Sequence, residues 1–413
     1  MMRRVSNAIY AGLAAALCLT VVACGGGGGS LAPAPPTPPP TGSNVATITV
    51  DSGPSVSGTP IGDINSLFTS VTVCVPGSTT NCQTIDHVQV DTGSYGLRIL
   101  SSALTTVSLP IAMDTSGNSL GECLIFGIGF SWGPIVSADV KIAGETASAV
   151  PVQVIGDPRL PTVPSGCTGS GGEEDTVTSF GANGLLGIGP FAQDCPGCTN
   201  GVPSPAQYYA CSATTCTPAT VPLSAQVVNP VFLFPKDNNG VIIQLPTVGT
   251  SGASTVSGTL TFGIDTESDN VSGSQTVLTL DGEAELAMIY NSVTLDQSFV
   301  DSGSNGIYFN DMNIVQCTSS GFTGFYCPGN TLNLMVSMVG RNNVMANNLT
   351  FNIGSAQTIP VNVSAYPALG GTVPTAIGAQ SFDYGLAFFY GKRVAIANQG
   401  SVTTVGTGPY IAF

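Results

Sequence analysis

Histidine is almost missing from this sequence: one residue, His87, among 413. Zinc sites rich in imidazole and the two-histidine metalloprotease helix therefore have no ligands to use. A Ser-His-Asp triad would have to recruit His87, and no G-x-S-x-G elbow accompanies it. Charge is equally scarce. Asp, Glu, Lys and Arg make up 8% of the chain, and nine basic residues face 24 acidic ones for a net charge of −15. No basic run follows the first four residues. A nucleic-acid partner is excluded, because phosphate neutralisation needs a basic footprint. Charge-driven adhesion to an anionic membrane surface fails for the same reason. The shortage of Glu, Lys and Arg also removes helix formers. What remains is rich in β-branched residues and turn formers, with 52 Gly and 29 Pro, so an all-β fold is expected. The length is ample for a core and suits two or three domains, or one bilobal unit.

Long apolar runs are missing too, with one exception. Residues 1–23 read as a signal peptide: Arg3 and Arg4 precede a short apolar stretch over 8–22. That stretch is too short for a comfortable membrane span. It ends Val21-Val22-Ala23-Cys24, which resembles a bacterial lipobox, with Cys24 as the lipidated first residue of the mature chain. No aspartate follows Cys24, so delivery to the outer membrane through an N-terminal lipid is expected. Residues 24–44 are a Gly- and Pro-rich tether, flexible and then extended, holding the body off the membrane. The glycine run lacks the GK[ST] of a phosphate loop.

Cys18 leaves with the signal and Cys24 carries lipid, so ten cysteines remain in an exported protein. Disulfides are the default there. Cys74 and Cys82 flank a turn between two strand-like runs, and Cys317 and Cys327 bracket a short loop. Cys123 and Cys167 can pair across a longer loop. Cys195, Cys198, Cys211 and Cys216 admit a second reading as a four-thiolate metal site. Their irregular spacing and the oxidising compartment favour disulfides, and neither a metal nor a cofactor is expected.

An internal repeat carries the chemistry. TIDHVQVDTGSYGLRI over 84–99 aligns without a gap on TLDQSFVDSGSNGIYF over 294–309. Seven positions are identical: Thr84/Thr294, Asp86/Asp296, Val90/Val300, Asp91/Asp301, Gly93/Gly303, Ser94/Ser304 and Gly96/Gly306. Chance supplies about one. The match resumes downstream at Gly144 and Gly354, then at Pro151 and Pro360, each followed by Val-x-Val. Each half therefore places an Asp-(Thr/Ser)-Gly-Ser loop at a strand end. Two carboxylates brought together cannot both ionise easily, so they share a proton. One then serves as general base on water and the other as general acid on a carbonyl. The glycines let the two loops approach closely. The hydroxyls of Thr92 and Ser302 are placed to bond across to the opposite loop. His87, four residues before Asp91, falls on the same face by alternation and reads as a strand-surface residue. Asp86 and Asp296 read as turn residues.

These two loops resemble the active-site loops of the pepsin-like aspartic proteases. The resemblance covers 45–413. GLLGIG, residues 184–189, is similar to that family's hydrophobic-hydrophobic-Gly element in the first lobe. CLIFGIGFSWGPIVSADVKIAG, residues 123–144, resembles its flap hairpin and following strands, and FDYGLAFFYGKRVAIA, residues 382–397, its C-terminal signature. The resemblance implies an all-β bilobal pepsin-like fold, with lobes at 45–227 and 228–413. It implies Asp91 and Asp301 as the catalytic pair, supported by Thr92, Gly93, Ser94, Ser302, Gly303 and Ser304. It implies a flap bearing Phe126, Gly127, Gly129 and Trp132. Where that family's flap carries tyrosine, this chain has Phe126; Trp132 and Tyr95 are the aromatic substitutes within reach. Trp132 otherwise reads as a packing residue. The second-lobe hydrophobic-hydrophobic-Gly element is either Ala376-Ile377-Gly378 or Asp383-Tyr384-Gly385. PVFLFP at 230–235 and PYIAF at 409–413 are expected as strands, in a sheet between the lobes. The whole also resembles an uncharacterised family of proteobacterial lipoproteins. The expected function is a lipid-anchored, monomeric aspartic endopeptidase acting on peptide or protein. The alternatives are an inactive relative binding peptide or glycan in the cleft, and an envelope structural protein.

Overall fold

The computed structural model describes residues 43–126, 129–167, 171–374 and 378–413. The expected signal segment, Cys24, nearly all of the tether, Gly127, Ala376 and Ile377 lie outside the described residues. Strands dominate; the α-helix Val177–Phe180 is a single turn, and the other helical pieces are short 3-10 turns. Among the described residues no helix is long and apolar enough to cross a membrane. The fold is all-β and bilobal.

The sequence repeat is a repeat of topology. In the first half, Cys82–Asp91 runs toward the site and Tyr95–Leu100 leaves it. Gly184–Ile188 lies between them, parallel to the first and antiparallel to the second. In the second half, Asp383–Tyr384 lies between Val293–Val300 and Ile307–Tyr308 in the same two orientations. This arrangement settles the second-lobe element as Asp383-Tyr384-Gly385. A further sheet joins the halves. The first strand, Val45–Val50, pairs with Val256–Phe262 and with Leu67–Cys74. The sheet continues through Gly240–Gln244 and Arg393–Ala397 to the last strand, Tyr410–Ala412.

The terminal segment is thus a strand, but 230–235 is not: Pro230–Leu233 forms a 3-10 turn. Pro230 has no amide to give a sheet, and the Asn229 side chain accepts from Val231 N at 3.0 Å, which caps the turn. The two cores differ in kind. The first half buries aliphatic residues such as Val71, Val88, Val90, Leu97 and Val140. The second builds on aromatic rings; Phe309 stacks on Phe382 at 5.0 Å, and Phe351 meets both edge-on. Disulfides join Cys74–Cys82, Cys123–Cys167, Cys195–Cys198, Cys211–Cys216 and Cys317–Cys327. The four cysteines read alternatively as metal ligands are therefore two disulfides.

Candidate active site

Asp91 ends one strand and Asp301 follows the end of another, and the two loops that begin with them meet face to face. Within each loop the carboxylate is held twice. Asp91 Oδ1 accepts from Gly93 N at 2.8 Å and Oδ2 from Ser94 Oγ at 2.5 Å. Asp301 Oδ1 accepts from Gly303 N at 2.7 Å and Oδ2 from Ser304 Oγ at 2.8 Å. Gly93 N also donates to Asp301 Oδ1 at 3.1 Å, so one amide bridges both acids. Glycine is required at this closeness. A Cβ at 93 would lie 2.7 Å from Asp301 Cγ, and one at 303 would lie 2.5 Å from Asp91 Oδ1.

Behind the carboxylates the hydroxyls of Thr92 and Ser302 cross between the halves. Ser302 N donates to Thr92 Oγ1 at 2.9 Å, and Ser302 Oγ donates to Val90 O at 2.9 Å. Thr92 N and Oγ1 make the reciprocal bonds to Ser302 Oγ at 3.2 Å and Val300 O at 3.3 Å. Gln89 Nε2 adds a third crossing, to Gly303 O at 3.0 Å. Gln89, Thr92 and Ser302 are buried, so leaving their polar groups unpaired would be costly, and the loops hold one another in register.

Electrostatics follow from that closeness. Burial, then the charge of Asp301 and a hydrogen bond to it, raise Asp91 to about 8. A pair so placed retains a proton well above the usual carboxylate range. A third acid, Asp383, sits beside the dyad with no solvent exposure.

Beside the loops opens a cavity of about 200 Å³, lined by Gly93, Tyr95, Glu283, Glu285 and Phe299 among others. Tyr95 brings a phenol to the dyad. Burial first, and then the Asp91 charge, push its pKa up. Sequence reasoning did not single out Glu283 and Glu285; their segment carries no motif and reaches the site only through the fold.

Within the stretch read as a flap hairpin, strands Ser119–Ile125 and Gly129–Ile142 pair antiparallel, with Ile125 opposite Phe130. Phe126 N donates to Gly129 O at 2.8 Å across the turn. The Phe126 ring is buried against Phe180, packed with Phe68 and Leu100. Gly129 pairs with Gly172, which covers this end of the hairpin. Trp132 is 1% exposed, stacks edge-on against Tyr209, and donates Nε1 to Leu160 O at 3.0 Å. Trp132 is therefore a core residue and does not replace the absent flap tyrosine; of the two candidates, Tyr95 is the one beside the dyad.

His87 does not face the site. Its φ of 47° breaks the alternation that would have aimed it there. It bonds Asp86 at 2.9 Å, lies 3.5 Å from Asp51, and is raised to about 9, chiefly by Asp51. Asp86 accepts from the Asn183 side chain, and the Asp296 carbonyl accepts from Arg341, both at exposed positions. Among the described residues no group of three or more His, Cys, Asp or Glu is placed to hold a metal ion.

This geometry is that of two matched Asp-(Thr/Ser)-Gly-Ser loops closing on one another. A family model described as "Protein of unknown function (DUF3443)" matches residues 40–413, and the chain belongs to that family. Among solved structures it is similar to the aspartic proteinase from Irpex lacteus. That match has 15% identity and a TM-score of 0.46, covering 89% of this chain and 96% of the other. No curated protein matches the sequence.

Proposed function

We propose that the chain is an exported, lipid-anchored aspartic endopeptidase in which Asp91 and Asp301 activate water against a peptide bond. The observation that carries this reading is the single Gly93 amide bridging both inner carboxyl oxygens, with Asp91 raised to about 8. Such a pair holds one proton between two acids over a wide range. The ionised member takes a proton from water as its oxygen attacks the carbonyl carbon. The protonated member gives its proton to the carbonyl oxygen, producing a tetrahedral diol. On collapse, the proton taken from water passes to the leaving nitrogen, the C–N bond breaks, and the diol hydroxyl returns a proton to the other acid. The dyad ends as it began. Thr92 and Ser302 keep the loops fixed throughout.

The test is hydrolysis of fluorogenic peptides from about pH 3 to 7, the range over which acid pairs of this kind work. Asp91→Asn and Asp301→Asn are each expected to lower turnover by at least about 10³-fold, within the span of general acid–base effects. Both variants should stay folded, because Asn is nearly isosteric. The peptide series should include Lys and Glu beside the scissile bond; Glu283 and Glu285 at the cavity favour Lys. Cleavage surviving in both Asn variants would assign the activity to another site or a contaminant. One observation favours a second reading, a binding protein that does not cut. The hairpin turns its aromatic tip residue, Phe126, into the core and offers no hydroxyl there. Wild type that binds these peptides and leaves them intact would decide for it. The anchor has its own test: Cys24→Ser should abolish lipid labelling of the exported protein, and persistent labelling would refute it.

A further inference from the structure

Each acid's loop hands on to a residue whose main-chain carbonyl is gripped by a buried side chain. These residues are Tyr95 and Asn305, repeat partners one position beyond Ser94 and Ser304. In the first half the grip is local: Arg98 Nη1 donates to Tyr95 O at 2.8 Å. The second half has Tyr308 where the first has Arg98. A guanidinium carries five N–H donors and a phenol a single proton. Tyr308 gives that proton to the Asn305 side chain, at Oδ1. The grip on the Asn305 carbonyl comes from the opposite half instead. Asn65 Nδ2 donates to it at 2.8 Å, across 240 positions of sequence.

Asn65 has no exposed surface, and its φ of 55° is a left-handed conformation that asparagine adopts more readily than most residues. Its side chain is fully engaged. Nδ2 donates to the Asn305 and Tyr366 carbonyls at 2.8 and 2.7 Å, and Oδ1 accepts from Tyr366 N and Tyr390 Oη, both at 2.7 Å. Two donors and two lone pairs are all that an amide has. Carbonyls only accept and a main-chain N–H only donates, so these partners fix which way the amide points. The Asn65 main-chain N–H donates to Ser364 O at 2.6 Å. Every one of these partners belongs to the second half. Behind Asn65, strand Leu67–Cys74 starts two residues on and pairs with Cys82–Asp91, with Phe68 opposite Gln89. That paired strand ends on Asp91.

We propose that Asn65 is a positioning residue of the site, through which the first half fixes the exit of the Asp301 loop. Asp91 ends one strand, the strand paired with it begins beside Asn65, and Asn65 grips the carbonyl that follows the Asp301 loop. The grip lies close to where the two loops are tightest. Gly93 N reaches Asp301 Oδ1 at 3.1 Å, and neither residue 93 nor residue 303 has room for a Cβ. An arrangement so close tolerates little drift, because a misplacement of about 1 Å in a site can cost about 10²-fold in rate. Arg98 ties the Asp91 loop to its own half, whereas Asn65 ties the Asp301 loop to the half that carries Asp91. With no exposed surface, Asn65 cannot touch a peptide and acts only through the loop. The inference rests on reading the paired loops as the site of the proposed chemistry, but the hold on the loop is measurable without turnover.

The experiment follows hydrogen exchange by NMR, residue by residue, in wild type, Asn65→Gly and Tyr390→Phe. Glycine accepts the left-handed backbone and removes all four side-chain bonds. Tyr390→Phe removes one of those bonds and spares the grip on Asn305. Local opening exposes a few amides and global unfolding exposes all of them, so the two separate. The reporters are the Ser302 and Gly303 amides, which donate to Thr92 Oγ1 and Asp301 Oδ1. The references are Val73 and Val140, paired in the first-half sheet. In Asn65→Gly the reporters should exchange at least about tenfold faster relative to the references, as local opening requires. In Tyr390→Phe that ratio should keep its wild-type value. Acceleration of reporters and references by one common factor in Asn65→Gly would overturn the proposal, and so would an equal change of the ratio in Tyr390→Phe. If Asn65→Gly does not fold, the wild type decides. The Asn65 side-chain protons should then persist in heavy water alongside the reference amides, and exchange as fast as that of an exposed amide would overturn the grip. Where wild type cuts peptides, Asn65→Gly should lower kcat by about 10–100-fold with KM within about twofold. A raised KM at unchanged kcat would overturn the positioning role. A wild type that cuts nothing, with exchange as expected, would count against the protease reading alone.

Discussion

The two halves share a backbone plan and differ in how each treats buried charge. In the first half, position 98 is Arg, fully buried, bonded to Glu122 at 2.7 Å and Asp194 at 2.6 Å. Tyr208 Oη donates to Asp194 at 2.5 Å and accepts from Val227 N at 2.9 Å. Arg98 Nη1 also donates to the Tyr95 carbonyl at 2.8 Å, on the loop that begins with Asp91. The repeat partner of Arg98 is Tyr308, which is neutral, and beside it stands Asp383, with which no Lys or Arg of the described residues forms an ion pair. One half thus sets a guanidinium against two acids, and the other buries an acid without a side-chain hydrogen-bond partner. Burial raises Asp194 well above the carboxylate range, with the nearby Glu122 adding to the effect, while Arg98 acts to hold Glu122 down. That cluster is therefore a cation with one charged and one protonated acid. The same fold tolerates either solution provided that no charge is left without a partner.

The largest structural effect expected from this difference is at Arg98. Arg98→Met keeps the packing volume and strands two acids in the core. Breaking a buried pair by removing one partner costs about 3–5 kcal/mol. Denaturant unfolding of Arg98→Met should show a loss of that size, shrinking as pH falls and Glu122 takes up a proton. A loss below about 1 kcal/mol, typical of exposed pairs, would mean that the cluster is solvated and that the two halves do not differ as described.

Where the halves agree, substitutions should agree. Thr92→Val and Ser302→Ala each remove the donor and the acceptor of a reciprocal crossing. Each is expected to cost about 1–3 kcal/mol, the range for leaving buried groups unpaired. The double variant should cost clearly less than the two together, because both changes break the same bonds. Additive losses would show that the crossing is not a unit. Unequal single losses would show that the asymmetry reaches the centre of the site.

The dyad loops were readable in the sequence because their residues are contiguous and occur twice in register. The Arg98 cluster was not, because its members lie 24 and 96 positions apart and only the fold brings them together. Asp383 was visible as half of an ambiguous glycine element. Its meaning depended on which of two segments was threaded between the loop strands, and that is decided by pairing. The hairpin was legible from the stretch 123–144, and its strands are Ser119–Ile125 and Gly129–Ile142, but the direction of Phe126 and Trp132 was not. Those rings turn inward because Phe180, Tyr209 and the Leu160 carbonyl provide partners there. The run at 230–235 looked like a strand by hydrophobicity alone, and proline with an Asn cap overrode that pattern. His87 defeated simple alternation through a single left-handed residue.

The smallest effect concerns His87, whose repeat partner is the neutral Gln297. In the first half His87 gains Asp51 and Asp86 as neighbours and is raised from 6.5 to about 9, with the Asp51 bond the largest cause. A raised histidine contributes stability that is complete below about 6.5, its unfolded value. The contribution is lost as pH climbs through about 9. Asp51 is lowered by the same contact, so at the acid end the pair weakens as Asp51 takes up its proton. The His87 side chain is 26% exposed and that of Asp86 70%, and water screens the pair, so the net contribution is expected to be under about 1 kcal/mol. His87→Gln, which copies the second half, should flatten the stability profile between about pH 6.5 and 9, as the linkage relation requires. It should leave the profile near pH 5 lower by that small amount. Asp51→Asn should flatten the same limb by returning His87 toward its ordinary value. Thermal melts at fixed ionic strength would resolve the difference, and added salt should shrink it in wild type only. If wild type and His87→Gln kept the same slope on the alkaline limb, the pair would be unformed in solution, and the two halves would be equivalent at this position after all.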